Sequence, residues 1–241
     1  MSACADGTSW KEEVLLHDGK KLIVERSQNY GGRHEIGQKP PIKEQELTFT
    51  LPNSNRSITW KSEYSEDIGR ANLNPLALHV LNGTPYIVAE PNLCLAYNKW
   101  GRPNPPYVFF KYDGKAWQRI LLSEFPAQFK NVNVVVNSLG AAEERTIVDG
   151  KLIAVDKIRE LNSRLWRYPN EQFQYKTILR EALKPGAPGV DCPDLGSPRY
   201  TSPRGWAEPY VPRYNTITIP SSGITSSGME GTGKATNKQN D

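Results

Sequence analysis

The chain has 241 residues, a formal net charge of +4 and a hydrophobic fraction of 37%, which suits one large domain or two small ones. The small excess of 30 basic over 26 acidic residues does not by itself indicate a nucleic-acid-binding protein. No apolar run reaches about 18 residues, so the sequence predicts no transmembrane helix.

The chain begins MSACADG, and Met1–Cys4 has the shape of a lipobox, the signal at which bacterial lipoprotein precursors are cut before a cysteine. No apolar segment stands in front of it, so an intact signal peptide is absent from the sequence. We interpret this stretch as a trimmed lipoprotein junction. Cys4 is then the predicted lipidation residue, and residues 1–9 are a flexible linker.

Four Asp-Gly or Asn-Gly pairs predict tight β-hairpins, because these residues tolerate the positive φ angles of two-residue turns. They are Asp18-Gly19, Asn82-Gly83, Asp113-Gly114 and Asp149-Gly150. Strands at Glu46–Leu51 and Ser57–Lys61 predict a fifth hairpin, and Asn131–Asn137 predicts a further strand. The body, residues 10–183, is therefore expected to be mainly β, as an antiparallel sandwich or barrel-like meander.

The C-terminal part changes character in steps. Apolar residues at helical spacing predict one short helix at Asp156–Arg167, which Asp156 can cap. Tyr175–Leu183 is predicted as a strand because Tyr, Thr and Ile cluster there. Residues 184–220 are rich in Pro and Gly and predict an extended segment, here called the strap. Residues 221–241 predict a disordered tail.

The cysteines are Cys4, Cys94 and Cys192, an odd count that is awkward for an exported protein unless one is otherwise used. A lipid on Cys4 leaves Cys94 and Cys192 as a pair. Their disulfide would tie the strap to the sheet and close a loop of about 100 residues, a stabilisation of about 4–5 kcal/mol in the chain-entropy model. In a cytoplasmic alternative both would be small free thiols.

Five stretches carry a family resemblance: WKEEVLLHDGKKLIVERS, YGGRHEIGQ, LALHVLNGTPYIV, NLCLAYNKWGRPNPPYVFFKYDGKAWQRI and LSEFP. They resemble a family of uncharacterised proteobacterial proteins, many of which carry lipoprotein-type signal peptides. The resemblance covers residues 10–184. It implies an exported protein in the periplasm or outer membrane, anchored by lipid at Cys4, and Ala5 after that cysteine implies outer-membrane delivery. The activity of that family is unknown, so the resemblance supplies no catalytic residues to carry over.

No catalytic or metal motif is visible in the sequence, which lacks GxSxG, Walker A, HExxH and CxxC patterns. The three histidines are His17, His34 and His79, and lone histidines at strand ends and in loops are mostly structural. We therefore predict no metal and no cofactor. A hydrolase remains an alternative, and it requires a cleft holding His34 or the carboxylates within Glu63–Asp67, with perturbed pKa values.

Aromatic and basic residues are concentrated in Tyr97–Trp117. Strand alternation puts Val108 and Phe110 on one face and Tyr107, Phe109 and Lys111 on the other. One hypothesis is a surface for sugars, peptides or single-stranded nucleic acid. Its candidate ligand-binding residues are Trp100, Arg102, Tyr107, Lys111 and Trp117. We favour the alternative that both faces are buried, because aromatics in β proteins usually pack.

These observations together favour a non-enzymatic binding or structural module of the bacterial cell envelope. Its expected partner is a protein or a glycan, and its expected contact with the membrane is through the lipid alone. Two alternatives stay open: a hydrolase assembled only in three dimensions, and a β-barrel that binds single-stranded nucleic acid, a partner that we consider less favoured.

Overall fold

The computed structural model describes residues 7–38, 40–51, 54–62, 64–136, 152–164, 177–187 and 189–194. The predicted mainly antiparallel β fold is confirmed over these residues. The strands are β1 Gly7–Leu15, β2 Lys21–Tyr30, β3 Ile42–Thr50, β4 Ser57–Ser62, β5 Tyr64–Ser65, β6 Arg70–Ala71, β7 Leu73–Leu81, β8 Thr84–Pro91, β9 Val108–Tyr112, β10 Trp117–Ile120 and β11 Leu152–Ile153, and the α-helices are α1 Leu93–Lys99 and α2 Val155–Arg164.

Two sheets form the body. The first has five strands in the order β11-β1-β2-β3-β4, and the second has four in the order β10-β9-β8-β7. Neighbouring strands are antiparallel, except that β11 runs parallel to β1. Hairpins form at Asp18-Gly19, Asn82-Gly83 and Asp113-Gly114 as predicted, and Gly19 has φ +83°. β3 and β4 form the fifth predicted hairpin, whereas Asp149-Gly150 lies outside the described residues.

The second sheet is buried on both faces. Its inner face packs against the first sheet in the inter-sheet core, which includes Leu47, Trp60, Val108 and Phe110. Its outer face packs under residues 125–136 and Ile178, in an outer core that includes Phe109, Phe125 and Phe129. The predicted alternation of Val108 and Phe110 against Phe109 is therefore confirmed, and both faces of β9 serve packing.

Hydrogen bonds join the sheets at two edges. At one edge the Trp117 indole N–H donates to the Thr59 carbonyl at 2.8 Å, which links β10 to β4. At the other, the Asn133 amide donates to the carbonyls of Leu15 at 2.9 Å and Leu78 at 2.8 Å. The Leu78 N–H donates in turn to the Asn133 side-chain oxygen at 2.9 Å. The sandwich is thus closed laterally by side chains that stand in for strand pairing.

The strand predicted at Asn131–Asn137 is wrong over residues 132–136, which form no strand. Asn131, just before them, makes an isolated bridge to Thr177. The Leu76 carbonyl accepts from the Asn133 N–H at 3.2 Å and from the Val134 N–H at 3.4 Å, and side chains bond most of the remaining backbone groups. The Val135 N–H donates to Glu12 at 3.0 Å, and the Val135 carbonyl accepts from Arg26 at 3.1 Å. Asn162 of α2 donates to the Val134 carbonyl at 2.8 Å and accepts from the Val136 N–H at 3.0 Å. A β-rich sequence therefore runs here without a partner strand among the described residues.

Three consecutive valines of this segment enter three different clusters. Val134 packs in the inter-sheet core and Val136 in the outer core. Val135 packs in a third cluster with Trp10, Ile153, Ile158 and Leu161, which seats α2 against β1. All three valines are buried, so the segment belongs to every core of the described structure.

The remaining elements match the predictions in part. Helix α2 begins one residue before the predicted Asp156–Arg167 helix, whose last residues lie outside the described part. Helix α1 was not predicted. The linker prediction is wrong for residues 7–9, because β1 begins at Gly7. The strand predicted at Tyr175–Leu183 is wrong over 178–183, where neither strand nor helix forms. The strap beyond residue 194 and the predicted tail at 221–241 lie outside the described residues.

Candidate functional site

The five candidate ligand-binding residues do not share one surface. Trp100 and Trp117 are 7% and 5% exposed and belong to the inter-sheet core. Tyr107 packs against the outer core on the opposite face, edge-on to Phe109. Lys111 is exposed. The aromatic residues of this segment are thus divided between two cores, as the packing alternative predicts.

Arg102 binds the protein's own strap. Its guanidinium donates to the Cys192 carbonyl at 2.8 Å, to the Pro193 carbonyl at 3.1 Å and to the Asn98 side chain at 3.0 Å. It also lies over the ring of Tyr97, 5.2 Å from the centroid. Arg102, one of the five candidate ligand-binding residues, therefore positions residues 192–193.

A disulfide joins Cys94 of α1 to Cys192 of the strap, as predicted, with the two Cα atoms 5.3 Å apart. A second attachment lies nearby, where Asn104 accepts from the Leu183 N–H at 2.7 Å and donates to the Leu183 carbonyl at 2.8 Å. The strap is thereby attached to the body at Cys192 and at Leu183, the residue that precedes it. Cys4 lies outside the described residues.

The residues proposed for a hydrolase do not assemble into a site. His34 is exposed, and its Nδ1–H donates to the Gly32 carbonyl at 2.8 Å. Asp67 is paired with Lys99 at 2.7 Å, which lowers the pKa of its carboxyl. Glu66 accepts from the Tyr64 hydroxyl at 3.1 Å, and Glu63 is outside the description. Neither His34 nor Asp67 lines the cleft described below or the smaller cleft beside the disulfide.

A cleft of about 1070 Å³ opens between the β1–β2 turn, residues 128–133 and helix α2. Its apolar walls include Leu15, Val132 and Ile158. Charged side chains of both signs, from Lys130, Asp156, Arg159 and Glu160, also line it. This combination of volume, apolar walls and a few polar groups is typical of a small-ligand site.

Two histidines, His17 and His79, lie in this cleft. Their ring centroids are 6.3 Å apart at 78°. Phe129 supports both, stacked on His79 with centroids 4.6 Å apart and edge-on to His17 at 4.9 Å. β7 and the β1–β2 turn thus bring together two imidazoles that are 62 residues apart in the chain.

One nitrogen of each imidazole has no hydrogen-bond partner among the described residues. His79 is 2% exposed, and its Nε2 lies 3.2 Å from the Asn131 carbonyl. Since a carbonyl only accepts, Nε2 carries the proton and Nδ1 keeps a lone pair. The Nδ1 atoms of His17 and His79 are both buried, and neither has a hydrogen-bond partner within the described part of the chain.

Burial lowers the pKa of His79 to about 4, because the charged imidazolium is poorly solvated there. The Asn131 hydrogen bond opposes this shift, whereas the charges of His17 and Arg180 reinforce it. His79 is therefore neutral at pH 7 and presents an electron pair rather than a charge to its surroundings.

The histidine pair was not predicted as a site. In the sequence, His17 and His79 each precede a predicted hairpin turn, and both hairpins form in the structure. The sequence did not show that the two hairpins abut, since the contact depends on packing between sheets. Among the described residues, no three His, Cys, Asp or Glu side chains form a group suited to a metal ion.

Comparison with known proteins yields no matching family model, no matching curated protein and no matching solved structure. The proteobacterial family resemblance therefore stays a prediction. Within the described part of the chain, no helix has the length and apolar character needed to cross a membrane.

Proposed function

We propose that the protein is an exported binding module of the bacterial cell envelope, with its ligand site in the cleft between the β1–β2 turn and α2. The observation that carries this proposal is the cleft itself, whose apolar walls surround two imidazole nitrogens without hydrogen-bond partners among the described residues. Buried polar atoms are normally satisfied, so unpartnered ones in a cleft favour a ligand that supplies the missing contact.

The disulfide supports the proposed location in an oxidising compartment outside the cytoplasm. Structural disulfides persist in the periplasm and at cell surfaces, whereas cytosolic thiols are kept reduced. The Cys94–Cys192 pair uses two of the three cysteines, which leaves Cys4 for the proposed lipid anchor. The disulfide and the proposed anchor together support the periplasmic or outer-membrane location that we propose.

Binding is favoured over catalysis by what surrounds the histidines. A nucleophile is activated by a base within hydrogen-bond distance. Ser163, the α2 hydroxyl that lines the cleft, instead donates to the Glu160 carbonyl at 2.7 Å. We therefore propose a glycan or peptide of the envelope as the ligand, held by apolar contacts and a few hydrogen bonds.

Export is tested by expressing the gene with its native upstream DNA in a bacterium and measuring the mass of the N-terminal peptide in each cell fraction. The expected result is a diacylated or triacylated Cys4 in the membrane fraction. Unmodified protein in the cytoplasm would contradict the export half of the proposal.

Binding is tested by NMR titration of the full chain, treated with EDTA, with muropeptides and with short peptides. We expect shifts confined to the cleft amides, such as Gly19, Asn131 and Asn133. Ser163→Trp should fill the cleft and abolish them, whereas Lys157→Trp, on the same helix but outside the lining, should not. Shifts that persist in the Ser163 variant would contradict the assigned site.

A further inference from the structure

We infer that His17 and His79 bind one divalent transition-metal ion through their Nδ1 atoms. The inference deepens the proposed function and rests on it, because it names the chemistry of a ligand for the same cleft. Imidazole nitrogen is a preferred ligand of Zn²⁺, Cu²⁺ and Ni²⁺, and these ions are the class we assign.

His79 has the hydrogen-bond arrangement of a ligating histidine. A metal-bound imidazole usually donates its other N–H to a carbonyl or a carboxylate, which fixes both its tautomer and its orientation. His79 Nε2 donates to the Asn131 carbonyl at 3.2 Å, so the lone pair resides on Nδ1. The ring is held in place from one face by Phe129, with the two planes 13° apart.

His17 supplies the second nitrogen. Zn–N bonds of about 2.0–2.1 Å place two imidazole centroids on one ion roughly 5–6 Å apart. The observed separation is 6.3 Å, slightly longer than this range, so His17 has to move towards His79 for both to bind one ion. His17 is only partly buried, lies two residues beyond β1 in the hairpin turn and lines the cleft.

The site would be open rather than closed. Structural zinc sites use four protein ligands, whereas sites that bind substrate keep positions free. Since the described residues offer no group of three His, Cys, Asp or Glu side chains, the remaining positions go to water or to a ligand in the cleft. A two-imidazole site of this kind binds metal reversibly, which suits a binding module.

The test is calorimetric titration of the tag-free full chain with CuSO₄, ZnCl₂ and NiCl₂, after dialysis against EDTA and then metal-free buffer. We expect one equivalent of Cu²⁺ to bind, with a spectrum in electron paramagnetic resonance that shows two coordinated nitrogens. His17→Gln should weaken this binding tenfold or more. His34→Gln is the matched control, because His34 is the third histidine and lies exposed in a loop, and it should leave the affinity unchanged.

Three outcomes would overturn the inference: no heat above that of the His17 variant, an affinity unaffected by His17→Gln, or binding lost on His34→Gln. Thermal unfolding of each variant without metal shows that the fold is retained. Because His79 is buried and its variants risk misfolding, its role is read in the wild type from the ¹⁵N shift of His79 Nδ1, which should move on addition of Zn²⁺. The glycan and peptide titrations use EDTA-treated protein, so loss of metal binding leaves their outcome independent.

Discussion

Glu12 and Arg26 form an ion pair whose side chains are both fully buried, with Arg26 Nη1 3.0 Å from Glu12 Oε1. The Trp10 indole N–H donates to the same carboxylate at 2.6 Å, and the Val135 N–H donates to its other oxygen at 3.0 Å. Burial still raises the pKa of Glu12, because loss of solvent outweighs these favourable contacts. The pair joins β1 and β2 to the segment that covers their edge.

We expect Glu12→Gln to lower the free energy of unfolding by about 3–5 kcal/mol, because it leaves the Arg26 charge buried without its counterion. Urea denaturation measures this. The matched control is the Lys11–Glu25 pair on the same two strands, also 3.0 Å apart but with side chains 58% and 60% exposed. Glu25→Gln should cost less than about 1 kcal/mol. An equal loss of unfolding free energy in the two variants would show that the buried ion pair stabilises the fold no more than the exposed pair does.

His79 should make the protein less stable in mild acid. Its pKa is about 4 in the folded protein and 6.5 without the fold, so the unfolded chain binds more protons between these values. Stability contributed by the neutral imidazole is therefore complete above pH 6.5 and is lost as the pH falls towards 4, by up to about 3 kcal/mol. Urea midpoints at pH 7 and 4.5 measure the loss.

In the folded wild type, the ring nitrogens of His79 followed by ¹⁵N NMR should titrate near pH 4, and His34→Gln should retain the loss of stability. Titration of His79 near pH 6.5 in the folded protein would assign the acid sensitivity to other groups.

Loss of the disulfide should destabilise the chain strongly. Replacing both Cys94 and Cys192 by Ser opens a loop with a sequence separation of 98, and we expect a loss of about 4–5 kcal/mol in urea denaturation. A thiol count on the unfolded, unlipidated chain should give one thiol before reduction and three after it, since the sequence has three cysteines. Three thiols before reduction would refute the pairing.

Arg102→Lys should loosen the strap without unfolding the body. A lysine ammonium does not reproduce the forked contacts to Cys192 and Pro193. We expect amide hydrogen exchange at residues 189–194 to accelerate about tenfold or more, since a charged hydrogen bond contributes about 1.5–3 kcal/mol. Exchange in β7 and β8 should not change. Arg33→Lys, at an exposed loop position, is the control, and unchanged exchange in the Arg102 variant would show that the disulfide alone holds the segment.

Local chemistry explains which parts of the fold the sequence predicted. Gly19, Asn82 and Gly83 adopt the positive φ angles that their residue types favour, so the turns were predictable without knowledge of the rest. The alternation around Phe109 was predictable for the same reason, because strand geometry alone sets it. Cys94 and Cys192 were paired because the lipobox assigned Cys4 to a lipid anchor, which left two of the three cysteines.

The parts that were missed depend on distant residues. Residues 132–136 have the composition of a strand, but Glu12, Arg26 and Asn162 satisfy their backbone from elsewhere in the chain. Helix α1 has seven residues, too few for a helical period to emerge. The contact between His17 and His79 arises only when two hairpins pack, and no local pattern encodes it.

The segment that closes the sandwich also has consequences for the order of folding. Asn133 bonds Leu15 across 118 residues and Leu78 across 55, and contacts of such long range form slowly. During synthesis, β1, β2, β7 and β8 leave the ribosome well before Val134–Val136. Until those valines arrive, we expect a nascent chain with two sheets, an unclosed edge and three incomplete cores, which leaves apolar surface exposed to solvent.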